Sequence, residues 1–109
     1  MKSVESLAEI QEHIANEPFV LAYLSRPDCG VCVSLKPKVI EIVEEFSDAT
    51  AYYVDLDAIP EAAGEYSIFT IPGILVFVDG KESIREARYV SVDQLVDRME
   101  RLHALRFAS

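Results

Sequence analysis

Two stretches without a charge constrain this chain more than any other feature. Residues Phe19 to Leu24 read FVLAYL, and Ile74 to Val78 read ILVFV. A strand with one wet face alternates polar and apolar residues. An unbroken apolar run of this length reads instead as a central strand covered on both faces. A sheet built around two such strands needs helices on both sides.

The rest of the chain supplies them. Leu7, Ile10 and Ile14 fall on one helical face, with Ser3 placed to cap the helix and Pro18 to stop it. Ser25-Arg26-Pro27-Asp28 breaks the first apolar run. A longer helical pattern follows, with Leu35, Val39, Ile42 and Phe46 on one stripe and Glu41, Glu44, Glu45 and Asp48 largely opposite. Pro37 lies inside it and is expected to kink it. Ala51 to Leu56 is a further strand, and Pro60 to Ala63 a short helical stretch that Gly64 closes. Asp79-Gly80 is a two-residue hairpin signal. Ser83 to Val90 has the mixed polarity of an edge strand. Ser91-Val92-Asp93-Gln94 is a capping box before a last helix that turns Val92, Leu95, Val96, Met99 and Leu102 inward. The order α-β-α-β-α-β-β-α predicts parallel strands joined by right-handed crossovers, plus one antiparallel hairpin.

The whole chain, residues 1–109, is expected to form a single domain. Half of it is hydrophobic, enough for a core without help from disulfides or metal. The formal charge is −9. That balance argues against nucleic acid or an anionic membrane as partner, since both need clustered cations. No apolar run approaches the roughly 18 residues of a membrane span. The opening MKSVESLAEIQEH lacks the apolar core of a signal peptide, so a soluble, cytoplasmic domain is expected.

The two cysteines are Cys29 and Cys32. A bridge closing so small a loop removes little chain entropy, which makes its value chemical rather than structural. They follow an apolar strand and a short loop, where a helix begins. The N–H groups and positive dipole end of a helix favour thiolate over thiol. Cys29 falls at the exposed tip and Cys32 one turn further in, on the same face. Gly30 leaves room for an approaching partner. Other readings stay open: two inert small residues, or a metal or iron–sulfur site shared between two chains. A site within one chain lacks ligands, because no second cysteine pair exists and His13 and His103 are expected at the surface near opposite ends.

In these residues the chain resembles the thioredoxin family over nearly its whole length. The resemblance rests on Cys29-Gly30-Val31-Cys32, Pro37, Asp57 with Pro60, Tyr66 with Ile68, Thr70-Ile71-Pro72, the strand Ile74 to Val78, and Asp79-Gly80. It implies an α/β thioredoxin-like fold. Because Met1-Lys2 leaves little room before the Ser3 cap, the family's N-terminal strand is expected to be missing. A four-stranded mixed sheet flanked by four helices results.

The resemblance also implies a function, thiol–disulfide exchange on protein or low-molecular-weight disulfides. Cys29 attacks, a mixed disulfide forms, and Cys32 resolves it. No cofactor beyond the redox-active pair is implied, and no metal. An upstream reductase of the thioredoxin-reductase kind supplies electrons, since the chain has no nucleotide-binding fingerprint. A monomer is expected, acting as a reductase rather than an oxidase because the compartment is expected to be cytoplasmic. A cis peptide at Pro72 is implied, freeing the backbone of Ile71 to pair with an extended substrate beside Gly30 and Val31.

The sequence departs from the family at named positions. Asp28 stands where the family has tryptophan, and a carboxylate there is expected to raise the Cys29 pKa unless Arg26 offsets it. Val31 replaces the usual proline. Tyr23 and Tyr53 stand where the family has a buried aspartate and its companion lysine. Tyr23 is placed to donate a hydrogen bond to a Cys32 thiolate, directly or through water. Alternatively, both tyrosines are simply core aromatics. Arg88 replaces a glycine of the substrate groove and is expected to narrow it or to select acidic partners. These departures keep a second function open, a binding or adaptor module with a weak or regulatory dithiol.

Overall fold

The computed structural model describes residues 1–107; the last two residues of the expected domain lie outside it. The chain runs β1 (Lys2–Ser3), α1 (Leu7–Asn16), β2 (Phe19–Ser25), α2 (Gly30–Glu44), β3 (Ala49–Asp55), α3 (Glu61–Glu65), β4 (Gly73–Val78), β5 (Lys81–Ala87) and α4 (Val92–Phe107). Among the described residues, no helix is long and apolar enough to cross a membrane.

The sheet has the order β1-β3-β2-β4-β5. The two apolar runs are its central neighbours, β2 and β4, with Leu21 opposite Val76. Successive side chains of a strand point to opposite faces. Val20, Ala22, Leu24, Leu75 and Phe77 therefore pack with Ile10 and Ile14 of α1 and Ala62 of α3. Phe19, Leu21, Tyr23, Ile74 and Val76 pack with Val39, Ile42 and Val43 of α2 and Leu95 and Met99 of α4. Each fully buried aliphatic or aromatic side chain contributes about 1.5–3 kcal/mol of transfer free energy.

Five strands are present where the sequence reading expects four. Lys2 and Ser3 pair in parallel with Tyr52 and Tyr53 as the short edge strand β1. The same pairing corrects the helix start. Ser3 is extended in the sheet, so α1 begins later and Ser6 caps it, accepting the Glu9 N–H at 3.0 Å. Its partner Glu9 accepts the Glu5 N–H at 2.9 Å.

Two antiparallel pairs are present rather than one, because β4 runs opposite to β2 as well as to β5. The five residues of α3 rise about 1.5 Å each, so the helix itself does not run the length of a strand at about 3.3 Å per residue. The chain leaves β3 and enters β4 at the same end of the sheet. That end is the carboxyl end of β2, where Gly73 faces Leu24.

Local signals set the remaining boundaries. Asp79 and Gly80 both have positive φ, 50° and 82°, as a primed two-residue hairpin turn requires. Arg88 is left-handed at φ 68° and ends β5 before the expected Val90. Pro37 lies within α2, which continues through it. Ser91 Oγ accepts the Gln94 N–H at the start of α4. Gly73 has no room for a side chain: a Cβ there would lie 2.8 Å from Cγ2 of the buried Ile68.

Candidate active site

The site forms where β2 ends and β4 begins. After Ser25 the chain turns, with the Cys29 N–H donating to Arg26 O at 3.2 Å. Cys29 is the N-cap of α2, and its Sγ accepts the Cys32 N–H at 3.2 Å. Cys29 and Cys32 form a disulfide with Cα atoms 5.2 Å apart. Cys29 is half-buried while Cys32 is 1% exposed. The two therefore differ in access, with the outer sulfur at the positive end of a helix whose first turn carries no acidic residue. Asp28 next to it is exposed to water. Arg26 pairs with Asp57 at 3.1 Å rather than with Asp28. Gly30 is open, with nothing within 4 Å of a Cβ built on it, and Val31 is exposed.

The Ile71–Pro72 peptide is cis. Pro72 is buried and its carbonyl accepts the Arg88 N–H at 2.8 Å. Among the described residues, the N–H and C=O of Ile71 make no hydrogen bond. Cys29, Cys32 and Ile71 all join the cluster on the α2 face of the sheet. Arg88 is exposed, its guanidinium 5.0 Å over the Tyr89 ring. Among the described residues it has no carboxylate within ion-pair distance.

Tyr23 and Tyr53 are register neighbours on β2 and β3, and their rings stack 6.2 Å apart. The Tyr23 hydroxyl donates to the backbone carbonyl of Cys32 at 2.5 Å, not to its sulfur. Burial, with a smaller contribution from Tyr53, pushes the Tyr23 phenol up to about 12. A half-open cavity of about 350 Å³ lies beside them, lined by Ser25, Pro27, Cys32, Val33, Lys36 and Tyr53. Lys36 Nζ stands 4.5 Å over the Tyr53 ring.

The histidines are half-buried rather than superficial. His13 stacks on Tyr52 at 4.0 Å and its Nδ1 donates to Glu17 at 2.6 Å. His103 Nε2 donates to Ser47 O at 2.7 Å and its ring sits among Phe19, Phe46 and Phe107. Among the described residues, no three His, Cys, Asp or Glu side chains gather into a metal-sized group.

A family model described as thioredoxin matches residues 2–101. The chain belongs to the thioredoxin family. It is 35% identical over 105 residues to the thioredoxin-like protein YdfQ of Bacillus subtilis, covering 96% of this chain and 94% of that one. It is 27% identical to a thioredoxin of Mycoplasmoides gallisepticum, over 92% of this chain and all of that one. The X-ray structure of Fasciola hepatica thioredoxin superposes with a TM-score of 0.83 at 26% identity, over 93% of this chain and 98% of the other. With the Cys29–Cys32 pair in place, this thioredoxin-family chain is a thiol–disulfide oxidoreductase.

Three features of this thioredoxin-like site escape the sequence reading. Phe69 and Tyr89 are 78% and 79% exposed, unusual for large apolar side chains, near Ile71-Pro72 and Arg88. The signal for each was an aromatic ring beside a residue already singled out, Thr70 or Arg88. Lys36 is the third. It lies four residues after Cys32, the spacing that puts two side chains on one helix face.

Proposed function

We propose that this thioredoxin-like protein works as a reductase of protein disulfides and low-molecular-weight mixed disulfides. The observation that carries this reading is the unequal burial of its two sulfurs at one helix N-terminus. Cys29, the reachable sulfur, attacks a substrate disulfide as a thiolate. One substrate sulfur leaves as a thiolate and the other stays bonded to Cys29. Cys32 then gives up its proton and attacks Cys29 Sγ. The second substrate sulfur leaves, and the Cys29–Cys32 disulfide remains. Two electrons pass to the substrate, and an upstream reductase of the thioredoxin-reductase kind restores the dithiol.

Substrate docking falls to the uncommitted backbone of Ile71, beside Pro72, Gly30 and Val31. An extended peptide bonding there presents its sulfur toward Cys29. The protein acts as a monomer in the cytoplasm, where a reducing glutathione pool favours this direction of electron flow.

Turbidimetric reduction of insulin by dithiothreitol tests the reading. The protein is expected to accelerate precipitation. Cys29→Ser is expected to return the rate to background, and Cys32→Ser to accumulate a mixed disulfide visible by mass spectrometry. A wild-type rate no faster than dithiothreitol alone overturns the reductase and favours the second reading, an adaptor with a regulatory dithiol. That reading draws on Tyr23, whose hydroxyl is committed to a backbone carbonyl rather than to either sulfur.

A further inference from the structure

The resolving step contains a physical difficulty. Cys32 is almost fully buried, and burial in apolar surroundings disfavours a thiolate. Something near its sulfur must favour the charged form.

Few groups around Cys32 can do so. From β2, the Tyr23 hydroxyl donates to the Cys32 carbonyl, and its phenol is held protonated well above neutral pH. From β3 comes the ring of Tyr53, which stacks on Tyr23. From the β2–α2 loop come Arg26, already paired with Asp57 from the β3–α3 loop, and the exposed carboxylate of Asp28. Ser25 also lines the cavity, but its hydroxyl donates to Arg26 O at 3.2 Å. Pro27 and Val33 are apolar. Of the six residues lining the cavity, Lys36 alone is of a cationic type.

Its position is fixed from two sides. Lys36 follows Cys32 by one helical turn, so both project from the same face of α2. The Tyr53 ring then holds the ammonium 4.5 Å from its centroid, a cation–π contact. The cavity is open to solvent and large enough for water.

We propose that Lys36 is the positioning residue of the resolving step, its ammonium held over Tyr53 at the cavity beside Cys32 so that the thiolate forms there. The inference rests on the dithiol mechanism above. In the mixed disulfide, the Cys32 Sγ–H bond breaks and the proton passes to water in the cavity. The thiolate attacks Cys29 Sγ, the new disulfide forms, and the substrate sulfur leaves with the electron pair. Lys36 keeps its own proton throughout.

Stopped-flow reaction of the reduced protein with 5,5′-dithiobis(2-nitrobenzoate) separates the two steps. The first burst of nitrothiobenzoate reports attack by Cys29, and the second reports resolution by Cys32. Lys36→Met is expected to leave the first phase within about twofold. It is expected to slow the second about tenfold at pH 7 and to raise the midpoint of its pH profile by about one unit. Lys36→Arg is expected to restore both. A second measurement avoids turnover: in Cys29→Ser, the ultraviolet thiolate absorbance of Cys32 is expected to titrate about one unit higher when Lys36→Met is added. An unchanged pH midpoint in both measurements overturns the proposal, as does equal slowing of both phases. Loss of the second phase in the wild type is a different failure. It removes the dithiol mechanism itself, and this inference with it.

Discussion

Arg88 shows at the scale of one residue how a departure from family pattern becomes readable. An arginine at φ 68° occupies backbone space that costs an L-residue about 1–2 kcal/mol. The hydrogen bond from its N–H to Pro72 O keeps it there, so the residue stands beside Ile71-Pro72, and among the described residues it has no carboxylate partner. If an extended substrate docks beside Ile71 as proposed, this cation, on a chain of net charge −9, is expected to meet an acidic side chain of the substrate. Arg88→Glu keeps the left-handed backbone at similar cost and reverses the charge. It is expected to lower kcat/KM about fivefold for peptide disulfides flanked by Asp or Glu and to raise it for those flanked by Lys. The magnitude is that of an exposed ion pair. Equal effects on both peptide sets would remove Arg88 from specificity. The sequence drew attention to Cys29 and Cys32 through a short motif, and to Arg88 only through its matching position in the family. It could not identify the acceptor of the Tyr23 hydroxyl, since a choice between the sulfur and the carbonyl of Cys32 depends on ångströms that spacing does not encode.

Among the elements, hydrophobic patterning located the long helices and both central strands, because burial on one or both faces leaves a periodic trace. It missed β1, two exposed residues long, because so short a strand has no period. It also missed the reversal of β4, because strand direction depends on where the intervening segment leaves the chain, which no periodicity records. Gly73 marks that reversal in atomic detail, where β4 starts against Ile68. Gly73→Ala is expected to destabilise the fold by about 1–3 kcal/mol through overpacking against a side chain with nowhere to move. The denaturant midpoint checks this. A midpoint equal to wild type would mean that Ile68 gives way freely.

For the molecule as a whole, buried phenols are expected to lower stability at alkaline pH. Tyr23 is pushed up to about 12 chiefly by burial. Tyr52 is raised further, by burial first and then by its hydrogen bond to Glu17 and the charges of Glu17 and Glu9. Below pH 10 these phenols are protonated in both folded and unfolded chains, so they add no pH dependence. Between about pH 10 and 12 the unfolded chain releases the protons and the native one retains them. Stability therefore falls as pH rises through that window, by about 2–3 kcal/mol for Tyr23 alone. Urea titrations from pH 9 to 12 are expected to show the fall, and Tyr23→Phe to flatten part of it; a Tyr23→Phe slope equal to wild type would place the effect elsewhere. The architecture has one more outcome, felt during synthesis. Cys29 and Cys32 lie on the chain well ahead of Gly73–Val78, the strand that closes the sheet beside them. A nascent polypeptide thus presents both thiols before the strand that flanks them has formed, and a translation product halted between the two would carry them unsheltered.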